Sequence, residues 1–298
     1  MNVVLTGAAG FIGRHVAATL VARGANVIGI DRRIWTPLHG ERCIVDDLAT
    51  PSPATLSALA STDGVIHLAG RPGVRDDGPD AARARRRDNI AAGRVVLAAT
   101  PHHAPVVVAS SSSVYGGAPG RPSHEDDPLA PRGSYARSKV ALEGLCARRA
   151  EQGGRVSVAR PFTVAGEGQR PDMAFARWIE AARRGLPLTL YGSSDTRRDI
   201  TDVRDVAEGL VRMLERDVQT TINLGSGTSY RLDDLIQVVG AVLGTEVAVQ
   251  PAPAHPAEVT ATLADTTRCR ELLDLAPSSD ITSLVARQAD IRDLEVVA

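Results

Sequence analysis

Tyr135 and Lys139 stand four residues apart in the stretch GSYARSK, and Lys139 is the single lysine of a chain with 34 Lys plus Arg. On a helix this spacing puts both side chains on one face. A phenol with a pKa of about 10 is a poor base at neutral pH, but a nearby ammonium favours its ionised form. A compact ammonium also reaches a ligand hydroxyl in a way that a planar guanidinium does not, which gives a reason for one lysine in an otherwise Arg-only chain. The pair reads as a phenolate base with a cationic partner. Ser110, Ser111, Ser112 and Ser113 follow the apolar run APVVVA, and one of these hydroxyls can share a substrate proton with Tyr135. As a plain polar turn the same run needs no chemistry.

A second set of residues suits a phosphate. GAAGFIG places Gly7, Gly10 and Gly13 between an apolar run and a helical stretch. Such a turn lets backbone N–H groups approach a pyrophosphate, with the positive end of a helix behind them. A glycine turn chosen for packing is the competing reading. Asp31 ends the next apolar run, at about the place where a carboxylate accepts hydrogen bonds from the adenosine ribose hydroxyls. A carboxylate repels a 2′-phosphate, so Asp31 favours NAD. Arg32 and Arg33 beside it are either solvated loop cations or partners for that phosphate. Asp47 and Leu48 in VDDL either meet the adenine or serve as loop and core.

These residues need a frame that brings them together. Short β-rich runs at 2–6, 25–31, 64–70, 104–111 and 155–162 alternate with helical spacing at 11–24, about 80–99 and 134–152. That alternation predicts a parallel sheet with helical crossovers and ligands at the carboxyl ends of its strands. After Phe162 the pattern changes to an Arg-bearing loop, a helix at 173–185, a short strand at 188–192 and another at 221–227. Residues 228–298 read as short helices between Pro-rich loops, a small cap on the main sheet. The expected fold class is α/β: a Rossmann-type doubly wound parallel sheet with a smaller C-terminal α/β substrate-binding cap. Residues 1–165 with 200–225 form the nucleotide domain, and 166–199 with 226–298 the cap.

With 298 residues the chain can bury a sizeable core as one large domain with an appendage. Its formal net charge of −1 gives no general attraction to nucleic acid or anionic lipid, so an anionic ligand must be held locally. Cys43, Cys146 and Cys269 are widely spaced and odd in number, which argues against a disulfide framework and against a zinc cluster. No metal site is expected. The sequence has neither a signal-like start nor an apolar run of about 18 residues, so a cytoplasmic protein without a membrane partner is expected.

TGAAGFIG, VIHLAG, RDNIAAG, SSSSVYG, YARSK, RPDMA, RRDITDVRDVA and NLGSG occur in this order along nearly the whole chain. Together they resemble the extended short-chain dehydrogenase/reductases of the nucleotide-sugar epimerase/dehydratase family, most of all its UDP-glucuronate 4-epimerases. The resemblance implies NAD as cofactor, a nucleotide sugar as substrate, a UDP-sugar in that subgroup's case, and a homodimer formed through the helices at 80–99 and 134–152. It gives Tyr135 the role of base, Lys139 that of its partner and Ser111 that of the catalytic hydroxyl. Gly7, Gly10, Phe11, Ile12, Gly13, Asp31, Asp47, Leu48, Leu68 and Ala69 fall at cofactor positions, joined by Tyr135 and Lys139. Ser112, Ser113, Thr163, Arg170, Met173, Arg198 and Glu258 fall at substrate positions, Arg198 on the diphosphate, Thr163 and Arg170 on a sugar carboxylate. Asn89 in its N-I-x-G element is implied to be structural.

The family's shared first step oxidises C4 of the sugar to a ketone. Dehydratases and uronate decarboxylases of this kind carry an acidic residue within the two positions after the catalytic hydroxyl, where this chain has Ser112 and Ser113. An epimerase needs no such acid, so epimerisation at C4 is the expected outcome. A dehydratase or decarboxylase working from the same ketone, and a non-catalytic NAD-binding sensor, are the alternatives. FTVAGEGQRPDMA, GVR (73–75) and AEVTATLAD (257–265) point to UDP-glucuronate. The chain departs from the subgroup where AGEGQ replaces a Tyr-Gly-Pro run, in a shorter loop after Arg75 and in lacking an Arg before Glu258.

Overall fold

Val3, Val4 and Leu5 are all fully buried, so β1 (Asn2–Thr6) is apolar on both faces, as a strand covered by helices on both sides must be. Successive side chains alternate across the strand: Val3 and Leu5 join one core layer and Val4 the other. The computed structural model describes residues 1–73, 78–118 and 120–295. After β1 come α1 (Phe11–Ala22), β2 (Asn26–Asp31), β3 (Arg42–Val45), α2 (Pro53–Ala60), β4 (Gly64–His67), α3 (Pro79–Arg85), α4 (Ala92–Ala99), β5 (Val106–Ala109), α5 (Gly133–Glu151) and β6 (Val156–Pro161). The rest of the chain forms β7 (Thr163–Ala165), α6 (Ala174–Arg183), β8 (Leu188–Tyr191), β9 (Arg197–Asp202), α7 (Val203–Glu215), β10 (Thr221–Leu224), β11 (Ser229–Arg231), α8 (Leu232–Leu243), β12 (Val249–Ala252), α9 (Thr267–Leu273) and α10 (Ile281–Glu295).

The main sheet has seven strands in the order β10-β6-β5-β4-β1-β2-β3, every neighbour parallel. Val16, Ala17 and Leu20 of α1 pack with Leu210, Val211 and Leu214 of α7 on one face. Leu59 of α2, Val96 of α4 and Leu142 of α5 cover the other. Each such side chain contributes roughly 1.5–3 kcal/mol relative to exposure. The sheet is the doubly wound Rossmann type expected. Its strand order reverses between β1 and β4, and sheets of this type bind ligands at the carboxyl ends of the strands beside such a switch point.

Around Phe175, Trp178 and Ile179 of α6, Leu235 and Ile236 of α8 and Val285 of α10 lies a separate apolar cluster, the core of the cap. β8 with β12, and β7 with β9 and β11, form its small sheets. Cys269, Leu273 and Leu275, in and just after α9, pack instead in the α7 layer of the main sheet. Part of 226–298 therefore packs on the main sheet.

The helix expected over 80–99 is interrupted by a π turn at Arg86–Ala91, which separates α3 from α4. The extra residue of such a turn breaks the regular helical ladder. Fully buried Asn89 lies in it, tied to the loop after β4 and to α5: its Oδ1 accepts from Arg71 N at 2.6 Å, and its Nδ2 donates to Ser138 Oγ at 2.8 Å. β3 is an edge strand with mostly exposed residues and no apolar pattern to announce it. α7 is also absent from the expected helices, although Val203, Val206, Ala207, Leu210 and Leu214 give it a clear buried face. No described helix is long and apolar enough to cross a membrane.

Candidate active site

Gly7 turns the chain out of β1 with φ +73°, and a Cβ there would lie 2.8 Å from the backbone nitrogen of Ala69. The loops after β1 and β4 thus meet backbone to backbone at the switch point, next to Leu68 and Ala69. A Cβ on Gly13 would come within 2.1 Å of the Gly7 carbonyl, so only glycine lets α1 start this close to the turn. Gly10 caps α1 and donates its N–H to Gly7 O at 2.9 Å, with Phe11 and Ile12 in the first helical turn. Thr6 Oγ1 accepts the N–H of Ala69 at 3.2 Å and lies 2.7 Å from His67 Nδ1, bracing the two loops. Burial pushes the His67 ring down to about 3, so it stays neutral there.

This cradle fits a dinucleotide: close backbone, a helix N-terminus and an acid at the end of β2. Asp31 accepts the N–H of Ala9 at 3.1 Å, and the N–H and Nε of Arg33 at 3.0 and 3.3 Å. A carboxylate accepts about four hydrogen bonds, so capacity remains for ribose hydroxyls. Arg32 pairs with Asp88 at 2.9 Å, whereas Arg33 stays beside Asp31. Asp47 accepts from Ala49 N at 3.0 Å and pairs with Arg87; Leu48 is buried in the core.

Ser111 follows β5, and its hydroxyl accepts the N–H of Ser113 at 3.2 Å, capping a short 3-10 turn over Ser112–Tyr115. The same hydroxyl is near enough to Tyr135 to pull its phenol down. The buried Ser113 Oγ has no partner among the described residues. Tyr135 and Lys139 lie on consecutive turns of α5, and Asn89 and the Ser138 hydroxyl, which donates to Tyr135 O at 2.7 Å, fix the helix between them.

The charges around Tyr135 are arranged differently from the sequence expectation. Burial pushes its phenol up; the Ser111 hydroxyl, Arg170 and Arg85 pull it down. Lys139 Nζ lies 6.0 Å from the ring centroid and donates to Ala109 O at 2.8 Å. Its contribution goes first to the end of β5. Burial lowers the Lys139 ammonium to about 8 against the opposing pull of Glu143, one turn further along α5. Glu143 accepts from Ser110 Oγ and from Arg160, whose Nη2 lies 2.8 Å from Glu143 Oε2. Lys139 and Glu143 therefore grip the last residues of β5 and set the position of Ser111.

Arg170 comes from the loop that opens the cap. It is paired with Asp172 at 2.6 Å, and its carbonyl accepts the N–H of Met173, the residue that precedes α6, at 3.1 Å. The departing AGEGQ run holds this loop in place. Buried Glu167 pairs with Arg204 of α7 and with Arg287 of α10, the latter at 3.1 Å. Gln169 accepts from Gln288 of α10 at 2.9 Å and donates to Val164 O at 3.0 Å. Thr163 starts β7 opposite Ile200.

Ser111, Tyr135, Lys139 and Arg170 are the expected residues that gather in one place. Arg198, on β9 opposite Tyr230, and Glu258, in the loop after β12, are not part of that contact group. Val74 and Arg75 of the GVR element lie outside the described residues. Sequence reasoning passed over Arg85 and Glu143. The i,i+4 spacing from Lys139 was a usable signal for Glu143; nothing local marked Arg85.

A model of the NAD dependent epimerase/dehydratase family matches residues 3–225. The chain is 32% identical over 301 residues to an uncharacterised UDP-glucose epimerase, YtcB, of Bacillus subtilis, covering 94% of each chain. Among solved structures it is similar to MoeE5 in complex with UDP-glucuronic acid and NAD, with a TM-score of 0.91, 33% identity and coverage of 99% and 100%. UDP-glucuronic acid 4-epimerase from Bacillus cereus, in complex with UDP-glucuronic acid and NAD, gives a TM-score of 0.92, 29% identity and the same coverage. The glycine cradle, the Ser111–Tyr135–Lys139 group and these likenesses agree, and the chain belongs to the NAD dependent epimerase/dehydratase family.

Proposed function

We propose that this family member is a 4-epimerase that converts UDP-glucuronate to UDP-galacturonate with tightly bound NAD. The observation that carries the reading is Arg170, a cation on the cap loop close enough to Tyr135 for its charge to act on the phenol. A guanidinium there suits a carboxylate that sits one carbon beyond the reacting centre.

The turn at Gly7, Gly10 and Gly13 would hold the pyrophosphate, Asp31 the adenosine ribose and Lys139 the other ribose. NAD held there would supply the acceptor, and then the donor, of the C4 hydride. Tyr135 removes the 4-OH proton and gives it back, while the Ser111 hydroxyl, which acts on the phenol, orients the sugar oxygen. An ammonium has three donors, and Lys139 spends one on Ala109 O. Ser112 and Ser113 are too weakly acidic to assist loss of a C6 group, which favours return of the hydride over elimination. Arg170, with Thr163 and Ser112, holds the carboxylate near the plane of the new carbonyl, where the C–CO₂ bond is poorly aligned for decarboxylation. Arg198 and Glu258 serve the nucleotide side of the cap. The homodimer and the division into nucleotide domain and cap belong to the same proposal.

The test is incubation of the purified protein with UDP-glucuronate and NAD, with products identified by NMR. UDP-galacturonate at equilibrium with substrate, and no net NADH, is the expected result. A 4-keto pentose with CO₂ would make the protein a decarboxylase, and turnover of UDP-glucose alone would remove the uronate.

A further inference from the structure

Arg85 is the largest fully buried side chain of the molecule's described part, 1% exposed at the end of α3. Its Nη1 donates to Ser134 Oγ and its Nη2 to the carbonyl of Gly73. Ser134 immediately precedes Tyr135, so the guanidinium is anchored to the first turn of α5 itself. From there its central carbon lies 6.0 Å from the centroid of the Tyr135 ring, the same separation as Lys139 Nζ. A cation at this range of an aromatic ring interacts with both the ring and its oxygen. Burying a guanidinium is costly, and a packing role alone is met more easily by an apolar side chain.

We propose that Arg85 is a positioning residue for Tyr135: a fixed cation beside the ring that holds its orientation and favours the ionised oxygen during proton transfer. The inference rests on Tyr135 being the base. Among the described residues, four groups face the phenol from the elements packed around it: Ser111 after β5, Lys139 from α5, Arg170 with its partner Asp172 from the cap loop, and Arg85 from α3. Arg170 rides on a loop that meets the substrate and must adapt to it. Arg85 is buried and anchored beside Tyr135, so its effect is the same before and after substrate arrives.

The chain has four tyrosines, so ¹³Cζ-tyrosine labelling gives four resonances that single Tyr→Phe variants assign. The Tyr135 resonance is titrated in the NAD-loaded protein and in Arg85→Gln and Arg85→Lys. Arg85→Gln should raise the Tyr135 midpoint by about one pH unit, and Arg85→Lys should restore most of it. The Tyr115 resonance reports an unchanged fold. If Arg85→Gln does not fold, Ser134→Ala releases one anchor of the guanidinium and should give a smaller rise of the same sign. An unmoved Tyr135 midpoint in the folded variant overturns the proposal. The acidic limb of the pH–turnover profile should move upward with the midpoint. A midpoint that moves while the limb stays would support the Arg85–Tyr135 coupling and tell against Tyr135 as the base.

Discussion

Two phenols, buried Tyr115 and half-buried Tyr135, both lie beside arginines, and only the second is proposed to move a proton. Tyr115 OH donates to Asn223 Oδ1 at 2.7 Å and accepts from Arg160 at 2.8 Å, with that guanidinium 4.9 Å from its ring centre. Arg160 is further held by Glu143 and by the carbonyl of Glu125 at 2.9 Å. Burial pushes Tyr115 up to about 12 in spite of Arg160. Its oxygen is fully occupied, and its network ties β6, β10 and the loop before α5 together. The Tyr135 phenol has beside it the Ser111 hydroxyl, which pulls it down. A neighbouring cation therefore does not make a base; an oxygen left available to a ligand does.

The sharpest way to break this comparison is to remove each oxygen in turn. Tyr135→Phe should lower turnover by about 10³-fold with little change in stability. Tyr115→Phe should keep turnover within a few-fold and cost about 1–3 kcal/mol of stability, because Asn223 and Arg160 lose a buried partner. Chemical denaturation with steady-state rates on both variants separates the two roles. A large rate loss in Tyr115→Phe would erase the distinction.

Lys139→Arg comes next, with an expected loss of about 10²-fold despite the conserved charge. Lys139 Nζ fits between Ala109 O and Gly70, 3.8 Å from where a Cβ on Gly70 would stand. A guanidinium is larger and does not fit the same space. NAD content of the purified variant and its rate are the readouts; a near-parental rate removes the reason for a lone lysine.

A smaller effect is expected at Arg170. Arg170→Ala should weaken UDP-glucuronate binding by about tenfold, the scale of one charge-assisted contact, and divert part of the ketone to a 4-keto pentose and CO₂. Unchanged partition and affinity would return Arg170 to a loop cation paired with Asp172.

The smallest effect joins the two regions, because Glu143 touches Arg160 on one side and acts on Lys139 on the other. Glu143→Gln keeps an acceptor for Ser110 and removes the negative charge that raises the Lys139 ammonium. Lys139, held at about 8 in the parent, should then lose its proton at lower pH. Affinity for NAD should fall with rising pH from an earlier point in the variant. Superimposable profiles would show that Glu143 only packs.

What the sequence made legible was local. Gly7, Gly10 and Gly13 announce a turn because backbone sterics demand glycine there, and Val3–Leu5 announce a strand covered on both sides. Tyr135 and Lys139 were readable from helical spacing. The electrostatics were not. Lys139 lies 6.0 Å from the ring and donates one hydrogen bond to Ala109 O, while the charges of Arg85 and Arg170 act on the phenol from α3 and the loop before α6, 50 and 35 residues away in sequence. Such contacts depend on how α3 docks on α5, and that docking turns on a π turn at Asn89 which no periodicity predicts. Edge strand β3 has no buried face to announce it, whereas α7 carries its apolar period in full.

The central claim is that Tyr135 and its neighbours serve a reversible oxidation at C4. UDP-glucuronate deuterated at C4 tests it most directly. The account predicts UDP-galacturonate that keeps the deuterium at C4, in protein loaded with NAD and without added reductant. Product that has exchanged this deuterium for solvent hydrogen, or label recovered only in a pentose, would contradict it.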